Sequence, residues 1–193
     1  MADDLTRLPG ELPRPVDDGA CRHLAGHELP DLALPATGGG LIRLRSLQGR
    51  TVIYAYPRTG RPGEPLPTGW DQIPGARGCT PESLGFKELH SRFLALGILV
   101  FGLSTQDSPY QEEAASRLGL PFRLLSDAGL ALTRALGLPT FEVDGMILIR
   151  RLTLVLEGAT IRHVFYPVFP PDGHAEEVLA WLEARRSTEG RHS

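Results

Sequence analysis

Two short apolar runs, TVIYAY (51–56) and ILVFGLS (98–104), constrain the fold more than anything else in the chain. Both are rich in β-branched or aromatic residues. Gly49 and Pro57 bound the first, and Gly97 precedes the second. Runs of this length and composition are read as buried strands. Between them Leu84, Phe86, Leu89, Phe93, Leu94 and Leu96 recur at a spacing that predicts an amphipathic helix, starting just after Cys79 and ending near Gly97.

The same alternation continues on both sides. LPDLALP (29–35) and LIRLR (41–45), joined by the turn Gly38-Gly39-Gly40, predict two short strands. Ser108, with Pro109 after it and Gln111 three residues on, predicts a helix with a capping box that runs to about Leu118. FRLLSD (122–127) predicts a strand, and AGLALTRALG (128–137) a helix closed by Gly137. RRLTLVLEGATIRHVFYPV (150–168) predicts a hairpin turning at Glu157–Gly158, and Asp172 is placed to cap a last helix in GHAEEVLAWLEARR. Strands alternating with helices, followed by a hairpin and a terminal helix, imply an α/β domain with a central mixed sheet. The expected organisation is an N-terminal extension over 1–28, one domain over 29–186 and a polar tail over 187–193.

Composition excludes several functions. The chain of 193 residues carries a formal net charge of −3, so no basic field draws it to nucleic acid or anionic lipid. No apolar run approaches the roughly 18 residues of a membrane span, and the acidic, Pro-rich start MADDLTRLPGELPRP does not read as a secretory signal. Two cysteines, Cys21 and Cys79, do not make a disulfide framework, which implies a reducing, cytoplasmic setting. The histidines lack metal-ligand spacing outside the pair His23 and His27, and the three glycines at 38–40 lack the strand–GxGxxG–helix context. Neither a metal nor a cofactor is expected. HVFYPVFPP (163–171) is open to two readings, a homodimer surface or core and sheet edge.

The chemistry concentrates at Cys79. The loop before it, residues 57 to 78, contains five prolines (57, 62, 65, 67, 74), which deny it a regular ladder or a long helix. Loops longer than about 12–15 residues in a compact domain are often functional. A sulfur at the start of the following helix would meet free backbone N–H groups and the positive end of the helix dipole, both of which favour a thiolate. Arg77 lies beside it, and Pro81 suits the first turn. Against this, a free cysteine is commonly a buried, inert core residue. The residues alone leave both readings open. Trp70, within the long loop, is read as an anchor that pins the loop by burying its ring.

The stretches LPDLALPATGGGLIRLRSLQGRTVIYAYP, GCTPESLGF, VFGLSTQD, FRLLSD, ALGLPTF and RLTLVLEGATI resemble, in order, a peroxiredoxin of the thiol-specific-antioxidant and bacterioferritin-comigratory (Q-type) kind. The resemblance covers about residues 29 to 186. It implies a thioredoxin-like fold and a thiol-dependent peroxidase in which Cys79 attacks a peroxide and becomes a sulfenic acid. It further implies that Arg151, at the start of a strand, stabilises the thiolate, with Arg150 as the alternative on the opposite face. The family's strand-end proline corresponds to Pro57, twenty-two positions before Cys79, so about fifteen residues are inserted within the motif. Ala76 stands where the family has a hydroxyl, and Thr59 is the nearest replacement, ahead of Thr68 and Thr80.

The resolving cysteine that many Q-type members carry five residues further on is Leu84 here. The implied enzyme is therefore of one-Cys type, using an external thiol reductant such as thioredoxin, glutathione or a glutaredoxin-like carrier. Cys21 is the alternative resolver, which requires its Cα to come within about 7 Å of that of Cys79. Hydrogen peroxide or a small organic hydroperoxide is the expected substrate. Two rival expectations remain: a redox sensor or thiol-exchange protein acting through Cys79, and a non-catalytic thioredoxin-fold binding module.

Overall fold

The computed structural model describes residues 5–189. In chain order the elements are β1 (Ala33–Pro35), β2 (Leu41–Arg43), β3 (Arg50–Ala55), α1 (Cys79–Ala95), β4 (Ile98–Ser104), α2 (Ser108–Leu118), β5 (Arg123–Ser126), α3 (Ala131–Leu136), β6 (Thr140–Val143), β7 (Met146–Ile149), β8 (Leu152–Glu157), β9 (Thr160–Phe165) and α4 (His174–Glu189). The polar tail expected over 187–193 lies mostly outside the described residues, and α4 itself continues to Glu189.

The central sheet has the order β5-β4-β3-β8-β9. β3, β4 and β5 are parallel, because α1 and α2 carry the chain back between them. β8 is antiparallel to β3 and to β9, which follows it through a short turn. The result is the mixed sheet of a thioredoxin-like fold. β3 sits in the middle, and its side chains alternate between two cores. Ile53 and Ala55 join Leu103, Leu125, Leu154 and Leu156 on one face. Val52 and Tyr54, with Tyr56 just beyond the strand, join Phe86, Phe93, Leu124 and Val178 on the other. A strand with both faces buried must read as a continuous apolar run, which is why TVIYAY shows no alternation.

Several boundaries differ from the sequence expectation for local reasons. The cap of α2 is Asp107, whose side chain accepts from the Tyr110 N–H at 2.9 Å, and Ser108 is already helical. Asp172 lies in a 3₁₀ turn (Pro171–Gly173) that delivers the chain into α4. The hairpin β6–β7 has no counterpart in the sequence reading. Its turn is Asp144–Gly145, with φ of 48° and 74°, an Asp-Gly pair of the kind that two-residue hairpins favour.

That hairpin is the platform for the long loop. Trp70 is 4% exposed and packs with Ala76, Val143 and Leu148 in a third apolar cluster, its ring 6.2 Å from that of Phe141. The Thr68 N–H donates to the Asp144 carboxylate at 2.8 Å, and the partly buried Leu66 and Ile73 close the cluster. A Pro-rich segment without a ladder is thereby fixed by its own small core. Trp70→Ala should cost about 3–5 kcal/mol of stability, read as a lower midpoint of chemical denaturation. Early proteolysis within 58–78 should accompany it.

Candidate active site

The site is built where β3, the end of the long loop, α1 and the start of β8 meet. Gly78 precedes α1 with φ +104°, and a Cβ there would lie 2.3 Å from Pro171 Cγ and 2.9 Å from Leu8 Cδ2. Only glycine fits both that conformation and that contact. The Gly78 carbonyl accepts the Glu82 N–H at 3.0 Å, which makes Cys79 the first residue of α1. Farther along the helix, the Tyr54 hydroxyl of β3 donates to Ser83 Oγ at 3.0 Å and ties the first turn of α1 to the sheet.

Cys79 is 3% exposed. Its sulfur lies 3.1 Å from Arg151 Nη2 and accepts the Arg58 N–H at 3.4 Å, and its thiol lies 3.5 Å from the Ala76 carbonyl. Arg151 immediately precedes β8 and is also 3% exposed. It fastens the whole site. Nε donates to Gly75 O at 3.3 Å, Nη2 to Ala76 O at 3.1 Å and Arg77 O at 3.2 Å, and Nη1 to the Glu82 carboxylate. One planar guanidinium thus holds the end of the loop, the sulfur and a buried acid at once. Arg150 faces away, its guanidinium 5.8 Å from the centre of the Phe141 ring.

Pro57 is buried at the end of β3 and turns the chain so that the next N–H, that of Arg58, points at the sulfur. Thr59 follows, buried, but its hydroxyl donates to Gln106 Oε1 at 3.1 Å rather than to the sulfur. Gln106 also accepts the Thr59 N–H at 3.0 Å and donates to its carbonyl at 3.2 Å. The hydroxyl sought in Thr59 therefore acts one step removed, fixing the backbone that presents the Arg58 N–H. Arg77, expected to lend its charge to Cys79, aims Nη1 at Asp71, 3.3 Å away, and its carbonyl accepts from Arg151 Nη2.

The electrostatics are opposed. Burial pushes the Cys79 thiol up, Arg151 pulls it down, the Glu82 carboxylate pushes it up and the Arg58 N–H pulls it down. In this closed packing burial wins, and the thiol lies above its ordinary value rather than below it as expected from the helix terminus. Burial likewise raises Glu82, against the pull of Arg151 and His174, and its Oε1 has no hydrogen-bond partner. Glu82, Gln106 and Arg58 were not singled out from the sequence. Glu82 stands three residues after Cys79, on the same face of a helix, and that spacing is a signal. Gln106 has none, since it enters from the loop after β4.

Cys21 is not brought to this site. It is buried in the apolar cluster on the other face of the sheet, with Leu24 and Leu29, whereas Cys79 belongs to the cluster with Tyr56 and Phe86. Both thiols are free. Burial, followed by the carboxylates of Asp18 and Asp17, pushes the Cys21 thiol up to about 12, so it is not a thiolate at neutral pH. Leu84, at the family's resolving position, lies on α1, partly buried.

The redoxin family model matches residues 24–179. The chloroplastic peroxiredoxin Q of rice (Oryza sativa subsp. japonica) is 26% identical over 160 residues, 82% of this chain and 66% of its own length. The chain thus spans just under two thirds of that relative. The bacterioferritin comigratory protein of Xanthomonas campestris, 29% identical, superposes with a TM-score of 0.64 over 82% of this chain and 96% of that one. Peroxidoxin BcpB of Mycobacterium tuberculosis, 26% identical, gives 0.66 over 83% and 96%. The peroxiredoxin Q of Xanthomonas campestris is 30% identical, with a TM-score of 0.64 over 81% of this chain and 95% of that one. The chain belongs to the redoxin family, and within it to the peroxiredoxins.

Proposed function

We propose that Cys79 reduces hydrogen peroxide or a small organic hydroperoxide in a one-Cys cycle completed by an external thiol. The observation that carries this reading is the convergence on one sulfur of Arg151 Nη2 at 3.1 Å and the Arg58 N–H at 3.4 Å, at the first residue of a helix. Two fixed donors beside a nucleophile suit a charge that moves from sulfur to oxygen. The Cys79 thiolate attacks one peroxide oxygen, an S–O bond forms and the O–O bond breaks. The departing oxygen takes the electron pair and, from solvent, a proton equivalent to the one the thiol released, and leaves as water or an alcohol. Cysteine is oxidised to sulfenic acid and the peroxide is reduced. A substrate that brings polar atoms to the sulfur also removes part of the desolvation that raises the thiol, while Arg151 stays in place.

The one-Cys assignment is supported by Leu84 on α1 and by Cys21 lying in the opposite core with a protonated thiol. Thioredoxin, glutathione or a glutaredoxin-like carrier would supply the electrons: one thiol displaces water from the sulfenic acid, and a second releases reduced Cys79. The Xanthomonas protein's structure is described in terms of alkyl peroxide reduction, which supports organic hydroperoxides as substrates. A cytoplasmic setting fits a cycle that depends on free thiols. The near-complete burial of Cys79 favours one second reading, a redox sensor that passes its oxidation to a partner thiol.

Intact mass after one equivalent of hydrogen peroxide, with and without a sulfenic-acid trap, tests the cycle. The expected product is a single trapped adduct on Cys79, absent in Cys79→Ser. Loss of two hydrogens within one chain would instead make Cys21 the resolver. An unchanged mass would remove the peroxidase reading. Mixed disulfides with a partner, together with weak turnover on generic thiols, would favour the sensor.

A further inference from the structure

We infer that His174 is the charge partner of Cys79: its imidazole takes up a proton as the thiol gives one up, so the buried site ionises without a change in net charge. The inference rests on the peroxidase reading, in which Cys79 reacts as a thiolate. Cys79, Arg151 and Glu82 are 3%, 3% and 0% exposed and in contact. With the thiol protonated, Arg151 and an ionised Glu82 balance. Removing the thiol proton leaves one negative charge without a counterpart, away from water, which is strongly unfavourable.

The fold places a titratable base on that side. His174, the first residue of α4, is 1% exposed and packs on the face of α1 that carries Glu82. Phe86, one turn beyond Glu82, meets its ring edge-on at 6.1 Å between centroids. At Gly85, between them, a Cβ would lie 3.4 Å from Ala175 Cβ and 3.5 Å from the Asp172 carbonyl, so α1 and the start of α4 are in close contact. Thr153 Oγ1 is 2.8 Å from His174 Nε2, and Thr153 lies two residues beyond Arg151 on the same face of the strand. Glu82 Oε1, fully buried and unpartnered, is the open end of the site, and its carboxyl feels the imidazole.

Protonation of the ring breaks none of its contacts. Neutral, it donates through Nδ1 to Glu177 Oε2, 3.0 Å away, and accepts the Thr153 hydroxyl at Nε2; charged, it donates through both nitrogens. The Glu177 side chain is 60% exposed, so the proton exchanges with solvent there. The groups around the imidazole are Glu82 with Cys79 behind it from α1, Arg151 from the start of β8, His163 from β9 by way of Glu177, Asp172 from the preceding turn, and Glu176 and Glu177 from α4 itself. The balance is one proton from Cys79 to solvent and one from solvent to His174.

The first test leaves His174 in place. In the full-length reduced protein the ring C–H shifts of His174 are followed by NMR against pH, beside Cys79→Ser. The expected result is a titration midpoint about one unit lower in Cys79→Ser, where no thiolate can form. Identical midpoints overturn the inference. The second test is His174→Gln, followed by stopped-flow reaction of Cys79 with hydrogen peroxide across pH. A rate about tenfold lower near neutrality, recovering as pH rises, supports the coupling. A uniform loss at every pH reduces His174 to a packing residue. Should the wild-type sulfur fail to react with any peroxide, the peroxidase reading falls, and the NMR midpoints still report whether the two groups are coupled.

Discussion

Replacing Cys79 with serine should lower the second-order rate with hydrogen peroxide by at least about 10³-fold, to the level of an unrelated thiol-free protein. The hydroxyl fits the space, and Arg151 and the Arg58 N–H remain, so the loss isolates the sulfur's nucleophilicity from the packing around it. Stability should change little, because the contact to Arg151 has a substitute in its three carbonyl partners, Gly75, Ala76 and Arg77. Circular dichroism and thermal unfolding check the second half of the expectation, and stopped-flow fluorescence or a competitive assay checks the first. Peroxide consumption by Cys79→Ser within tenfold of wild type would place the chemistry at another residue.

Arg151 should be the second most damaging position, in two separable ways. Arg151→Gln leaves Glu82 and the sulfur without their cation and is expected to slow the reaction about 10²-fold or more. It should also destabilise the protein by about 3–5 kcal/mol, the usual consequence of removing one member of a buried ion pair. Arg151→Lys keeps the charge but not the fork. An ammonium cannot reach Glu82, Cys79 and three carbonyls together, so most of the rate should stay lost. The double change Arg151→Leu with Glu82→Leu separates the two effects, because apolar side chains leave no charge behind. Recovered stability with the rate still absent is expected. Recovered rate would show that the guanidinium is scaffolding and that the Arg58 N–H and the helix terminus suffice.

The backbone plan was largely legible because its causes are local. Gly and Pro end the strands, and the spacing of Phe86, Leu89 and Phe93 marks the face of α1 that packs on the sheet, whereas Leu94, grouped with them by spacing, is 50% exposed. TVIYAY and ILVFGLS are apolar enough to demand burial, and all of their residues except Leu99, 45% exposed, are buried. The hairpin β6–β7 was missed although Asp144–Gly145 is a turn pair, because FEV and MILI are too short to distinguish from loop beside a helix end. The cap of α2 lies one residue before the serine that the capping box points to, since serine and aspartate compete for the same role and only φ and ψ decide between them.

In the site, sequence and tertiary structure divide along a physical line. A cysteine at a helix start, behind a strand-ending proline and a loop too rich in proline to be regular, and an arginine at the head of a later strand are legible in the chain itself. Each of those follows from properties that a residue and its neighbours carry along the chain. Which groups meet depends on the folding of distant segments. Arg58 reaches the sulfur through its backbone and Arg77 aims its side chain at Asp71; Thr59 turns to Gln106; Glu82 and His174 gather behind Arg151; and the sheet separates Cys21 from Cys79. Those meetings join residues from about twenty to over ninety positions apart, and their energies depend on burial, which strengthens every unbalanced charge. The direction in which the Cys79 thiol is shifted belongs to the same class, because desolvation is a property of the packed interior and not of the neighbouring residues in the chain.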